Sequence, residues 1–179
     1  LYDEDRWPSG SGGGMVTKNE KYRIRFLVFS PCRLVKNQTG SKVTSTGQAV
    51  RSDKRRLLSR YEVLIRDGWL IDYHILSDSE VPRSGYDEWF AYLEISGENP
   101  WFNNQAYVNT LDKKAIQCFI EVTHEKYKEK LGAEFGKSIP AIFTDEPQFC
   151  HKTRLCYAED KTEVIIPYTD DFDETFTEA

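Results

Sequence analysis

Ile142-Phe143-Thr144-Asp145-Glu146-Pro147 is an apolar run that stops abruptly in two carboxylates and a proline. With Ser138-Ile139-Pro140-Ala141 before it, the stretch predicts a short buried strand, since β-branched and aromatic residues bounded by turn formers suit a sheet covered on both faces. Asp145 and Glu146 then fall at the strand's carboxyl end. In an α/β barrel that end builds the active site, so an acidic pair there suggests proton or nucleophile chemistry.

Upstream, Ile116, Phe119, Ile120, Thr123, Tyr127 and Leu131 recur at spacings of three and four, which predicts one amphipathic helix over about 111–131. Thr110 or Asp112 can cap its start, Gly132 ends it, and Lys126, Lys128 and Lys130 suit its negative end. A helix feeding a buried strand at about 139–144 is half of a βα repeat.

Between residues 22 and 98 the pattern is different. Tyr22 to Phe29 begins with alternation, Tyr61-Glu62-Val63-Leu64-Ile65-Arg66 runs into Asp67-Gly68, and Trp69-Leu70-Ile71-Asp72-Tyr73-His74-Ile75-Leu76 leaves it, a hairpin signal. Trp89 to Ile95 adds another strand, and residues 37–53 form a polar excursion. These runs predict a small antiparallel sheet inserted into the barrel elements. The expected fold class is therefore α/β, a fragment of a (β/α)8 barrel, with residues 1–21 as a strand end and substrate loop, 22–98 as the inserted β subdomain and 99–179 as barrel βα segments. Near the end, Val164-Ile165-Ile166-Pro167-Tyr168 is one more apolar run, and Thr169 or Asp170 reads as the cap of a following helix whose first turn is acidic.

The chain has 179 residues, 39% of them hydrophobic, enough for one substantial core. The sole methionine is Met15 and neither end reads as a natural terminus, so the expectation is a piece of a larger protein. A net charge of −5 argues against nucleic acid as a partner. No apolar run approaches the roughly 18 residues of a membrane span, so no membrane partner is expected, and the compartment stays open between secreted, periplasmic and cytoplasmic. Cys32, Cys118, Cys150 and Cys156 lack metal or redox spacing and read as free thiols, mostly buried. The basic residues from Arg51 to Arg66 read as solvated charge guarding a sheet edge.

Chemistry concentrates in three places. A carboxylic acid at a buried strand end is partly desolvated, which raises its pKa toward that of a working general acid, so Glu146 is the expected catalytic residue and Asp145 its neighbour on the substrate side. Tyr2-Asp3-Glu4-Asp5-Arg6-Trp7, before a proline and a glycine run, mixes acids and rings as polar binding sites do, and nominates Asp3, Glu4, Asp5 and Trp7 as substrate contacts, with a flexible linker as the plain reading. Pro100-Trp101-Phe102-Asn103-Asn104-Gln105-Ala106-Tyr107 offers rings for the apolar face of a pyranose and amides for its hydroxyls, nominating Trp101, Asn103, Asn104 and Tyr107, with core plugging as the alternative. Glycosidic cleavage normally needs two carboxyl groups; Asp3, Glu4 and Asp5 could reach the same cavity or equally bind sugar hydroxyls, and the second catalytic carboxylate is expected beyond residue 179. His74, His124 and His151 have no metal-ligand spacing, with His124 read as a packing residue, so no transition metal and no cofactor are expected, although loop carboxylates permit calcium.

The segments Leu1-Tyr2-Asp3-Glu4-Asp5-Arg6-Trp7-Pro8-Ser9-Gly10, Tyr107-Val108-Asn109-Thr110-Leu111, Thr123-His124-Glu125-Lys126-Tyr127 and Ile139-Pro140-Ala141-Ile142-Phe143-Thr144-Asp145-Glu146-Pro147 give a resemblance to large bacterial glycoside hydrolases of the α-L-rhamnosidase-like type. That resemblance implies a (β/α)8 catalytic barrel, hydrolysis of an oligosaccharide or polysaccharide, a catalytic carboxylate within Thr144-Asp145-Glu146-Pro147 and a substrate loop in the first segment. It also implies that the remaining barrel segments of a parent chain are required partners, because a full barrel needs about 250 residues. The competing expectation is a non-catalytic carbohydrate-binding module whose main body is the sheet, and a ligand-free structural domain is the third.

Overall fold

The structure is a computed structural model that describes residues 14–35, 50–143, 152–157 and 159–178, without the side chain of Trp101. It corrects the expected fold: the body of the chain is a five-stranded antiparallel β half-barrel with short helices, not a fragment of a (β/α)8 barrel. The strands are β1 (Arg25–Ser30), β2 (Arg55–Arg66), β3 (Trp69–Leu76), β4 (Asp87–Ile95) and β5 (Val164–Tyr168), in the spatial order β3-β2-β4-β1-β5. Every neighbouring pair is antiparallel.

The hairpin joining β2 to β3 follows from two residues. Asp67 and Gly68 take left-handed conformations, φ 51° and 82°, and this suits the right-handed twist of paired strands. The run at 164–168, expected among barrel segments, instead joins the sheet as β5, with Leu27 of β1 opposite Ile166.

Pairing also decides the core. Val28 lies opposite Tyr92 and Ser30 opposite Phe90, so Phe26, Val28, Phe90 and Tyr92 share one face of the sheet. That face packs with Val16, Ile24, Phe102, Tyr107, Val108 and Ala115 into a single buried cluster. α1 (Lys113–Val122) covers it through Ala115, Ile116, Cys118, Phe119 and Val122, the three-and-four spacing read in the sequence. Asp112 is its cap, with the carboxylate accepting from the amides of Lys114 at 2.8 Å and Ala115 at 3.3 Å.

The single helix expected over 111–131 is two. Thr123, with φ −113° and ψ −81°, interrupts it, and α2 (His124–Leu131) resumes beyond. The Thr123 hydroxyl donates to the Phe119 carbonyl, a local bond by which threonine competes with regular helix. A further helix, α3 (Phe172–Glu178), follows β5. Asp170, expected with Thr169 as a candidate cap, receives two hydrogen bonds from Arg25 on its carboxylate.

The expected buried strand at 139–143 is absent as well. Ile139 makes one parallel bridge with Phe135 and residues 140–143 follow without regular structure. Ile142 and Phe143 are 62% and 84% exposed, since no neighbouring strand covers them among the described residues.

Candidate functional site

Of the nominated residues, Asp3, Glu4, Asp5, Trp7, Asp145 and Glu146 lie outside the described residues, as do His151 and Cys150. Among the described residues, the one nearest in sequence to Asp3, Glu4, Asp5 and Trp7 is Gly14.

Gly14 takes φ 75°, and the turn after it is held by the amide of Lys18 donating to the Gly14 carbonyl at 2.9 Å. Val16 and Thr17 then plug into the core, and the Arg23 guanidinium donates to the Thr17 carbonyl at 2.7 Å. This anchoring sets Gly14 against the 99–105 loop. A Cβ placed on Gly14 would lie 3.6 Å from Cδ of Gln105.

The loop itself is closed at its base. The amide of Asn99 donates to the Gln105 carbonyl and that of Asn104 to the Asn99 carbonyl, both at 3.0 Å. Asn103 and Asn104 follow each other in left-handed conformation, φ 53° and 57°, which asparagine tolerates better than most side chains. Both are exposed, so the expected amide pair stands at the surface. Tyr107 does not. At 1% exposure its ring sits 5.0 Å from that of Phe102 inside the core, which leaves no ring face for a ligand to cover. Gln105 Oε1 is buried without a hydrogen-bond partner, a polar atom of this loop that the sequence reading passed over.

Two carboxylate clusters were also missed. Glu94 is fully buried between Arg51 and Arg55, with Arg51 donating to both of its oxygens and the Ser52 amide adding a third bond at 3.1 Å. Burial weakens the Arg51 charge, but the Glu94 hydrogen bonds and the charges of Glu94 and Glu163 outweigh it and raise the guanidinium pKa. Within the expected solvated basic run, the side chains of Arg51, Arg55 and Arg60 are therefore largely covered, while Lys54, Arg56 and Arg66 are exposed. β2 is flanked by β3 and β4, and its Arg60 pairs with Glu88.

The second cluster joins β2 and β3 to residues 83–86. Glu62, 3% exposed, accepts from the backbone amide and Nε of Arg83 at 2.8 and 2.6 Å, while Asp72 accepts from Tyr86 at 2.6 Å, from Arg83 at 3.1 Å and faces His74 at 3.2 Å. The Tyr86 hydroxyl holds the Asp72 carboxyl below the usual range, and Asp72 in turn pushes the Tyr86 phenol up. These groups satisfy one another and fasten a loop to the sheet. A single-strand signal could not have found either cluster, because each is assembled from residues far apart in the chain.

Searches against protein-family models, curated proteins and solved structures return no match. The functional reading therefore rests on the chain's own residues.

Among the described residues there is no group of three or more histidine, cysteine, aspartate or glutamate side chains able to hold a metal ion. The calcium expectation named loop carboxylates in general and no particular residues. Cys32, Cys118 and Cys156 are free, and Cys32 and Cys156 are exposed rather than buried. His124 packs its ring edge-on to Phe119 at 5.6 Å and approaches the Thr123 hydroxyl at 2.8 Å, the packing role expected for it. No described helix is long and apolar enough to cross a membrane. A hollow of about 370 Å³ at the β2–β3 turn is lined by Ile65, Arg66, Asp67, Asp87, Glu159 and Lys161, and the Lys161–Asp87 ion pair spans two of its lining residues.

Proposed function

We propose that this chain is part of the catalytic region of a glycoside hydrolase, acting on an oligosaccharide or polysaccharide, with Glu146 as general acid/base. The observation that carries this reading is the meeting of Gly14 with Gln105. In the sequence Gly14 follows the segment rich in acids and rings, and Gln105 follows the exposed amides of Asn103 and Asn104; the chemistry of both stretches suits sugar hydroxyls and pyranose faces.

A glycosidic oxygen must be protonated as its bond breaks, and a carboxylic acid does this while a second carboxylate acts as nucleophile or activates water. Asp3, Glu4 and Asp5 are candidates for sugar contacts or for that second group; an acid elsewhere in a parent polypeptide is the other source. Ile142 and Phe143 support a larger setting, since two large apolar side chains exposed immediately before the acidic pair form a surface that further polypeptide would cover. The α-L-rhamnoside specificity follows from the sequence resemblance alone.

The test is hydrolysis of aryl glycosides by the full-length parent with and without Glu146→Gln. A loss of about 100-fold or more in kcat is expected for a general acid. Unchanged turnover removes the assignment.

One observation favours a second reading, a non-catalytic carbohydrate-binding module. Trp69 and Tyr73 on β3 are 74% and 57% exposed, rings available for stacking on sugars. Glycan-array binding by this chain, abolished by Trp69→Ala and Tyr73→Ala while Glu146→Gln leaves parent turnover intact, would favour the module.

A further inference from the structure

β3 forms one margin of the sheet, and among the described residues no strand pairs with its outer side. Such margins expose backbone donors and acceptors and are normally protected by lysine, proline or a very short strand. β3 has eight residues, with no lysine, arginine, proline or glycine among them. Its large side chains are open: Leu70 and Ile71 are each 57% exposed and Ile75 66%, in addition to Trp69 and Tyr73.

The apolar character continues inward on the same face. Ile75 stands beside Tyr61 of β2, which stands beside Trp89 of β4, and Tyr73 stands beside Val63. A strand laid outside β3 would pair with its backbone and lengthen this face at the same time. One irregularity interrupts the margin: Leu64 opposes Asp72 and Ile65 opposes Leu70, which leaves Ile71 without an opposite residue on β2.

We propose that the outer side of β3 is a homodimer interface, where β3 of a second copy of this chain pairs with it antiparallel about a two-fold axis. The strand is complementary to itself. Pairing centred on Tyr73 sets Asp72 of each copy opposite the other copy's His74, extending across the axis the contact that the two residues make within each copy at 3.2 Å, and sets exposed Ile71 opposite exposed Ile75. A pairing of this kind is isologous and closes at two copies, which removes both exposed margins at once and yields a discrete dimer rather than a fibre. This interface uses the backbone of β3 and does not depend on the hydrolase reading.

The full chain, in buffer without sugar, is examined by sedimentation velocity across a concentration series from low micromolar upward. The expected result is a reversible monomer–dimer equilibrium. Placing a charged guard on the strand, as Ile75→Lys and separately as Tyr73→Lys, weakens the dimer by about tenfold or more, equivalent to about 1.4 kcal/mol, with the far-ultraviolet circular dichroism of the monomer retained. Register is read by Tyr73→Cys, which places the same residue of both copies at the two-fold axis. Under mild oxidation it forms a covalent dimer in greater yield than the unsubstituted chain with its exposed Cys32 and Cys156. A chain that stays monomeric across the series overturns the proposal. So does a dimer indifferent to both lysine substitutions, or a Tyr73→Cys variant that crosslinks no better than the unsubstituted chain.

Discussion

Arg51 holds Glu94 through two parallel hydrogen bonds, Nε to Oε1 at 2.9 Å and Nη2 to Oε2 at 2.8 Å, and the carboxylate it holds has no exposed surface. The pair fastens the chain just before β2 to the carboxyl end of β4, with the Ser52 hydroxyl donating to the Ile95 carbonyl beside it at 2.6 Å. Removing Glu94 would break this buried pair and leave Glu163 as the carboxylate facing the Arg51 guanidinium. Glu94→Ala is expected to cost about 3–5 kcal/mol, read as a lower urea midpoint with an unchanged slope. A loss below about 1 kcal/mol would show that water reaches the site.

Tyr107 separates a packing role from a binding role. Its ring is buried against Phe102 in the cluster that α1 covers. Tyr107→Ala is therefore expected to cost about 3–5 kcal/mol of stability in denaturant unfolding. Asn103→Ala, at an exposed position with φ 53°, should change stability by about 1 kcal/mol or less, so any effect on sugar binding there can be measured in a folded chain.

Acid sensitivity follows from carboxylates whose pKa values are lowered in the folded chain. A hydrogen bond from Arg25 lowers that of Asp170, and the backbone amide of Cys156 lowers that of Asp160. Each contributes stability that is fully present above the unfolded aspartate pKa of about 3.9 and is lost as pH falls through the lower folded value. The melting temperature should stay level from neutral pH to about pH 5 and decline below about pH 4. Asp170→Asn should flatten that decline in melts across the same pH series, while at neutral pH it also deprives the buried Arg25 guanidinium of its carboxylate.

Gly68 supports the β2–β3 hairpin by conformation alone, with φ 82° and open space where a Cβ would point. Gly68→Ala should thus cost about 1 kcal/mol from backbone strain, and Gly68→Asn less, since asparagine tolerates this region. Thermal melts of the two variants give the comparison.

Local signals in the sequence carried real structure. Asp67-Gly68 marked the hairpin, the apolar runs marked the strands, and the spacing of Ile116 and Phe119 marked the buried side of α1, because turn preference and periodicity are properties of neighbouring residues. Position in the sheet was not legible. The run ending at Phe143 is apolar like Val164 to Tyr168, yet among the described residues only the latter finds a partner strand, and that partner, β1, lies far away in the chain. The inference of a barrel depended on giving residues 139–143 that kind of partner. Likewise, Arg51, Arg55 and Arg60 looked like surface charge because their carboxylate partners, Glu94 and Glu88, are brought close only by the pairing of β2 with β4. Of the candidate site, Asn103 and Asn104 are exposed and Tyr107 is buried, and the sequence left sugar contact and core plugging open for this loop because burial depends on tertiary packing.

The adjacency of β1 and β5 also imposes an order on synthesis. Leu27 emerges from the ribosome early but acquires its neighbour Ile166 only when almost all the described chain has been made. Until then β1 keeps an unpaired flank, and closing so long a loop is slow compared with forming the β2–β3 hairpin. Nascent chains arrested before Val164 should therefore engage holdase chaperones, and those extended past Tyr168 should release them.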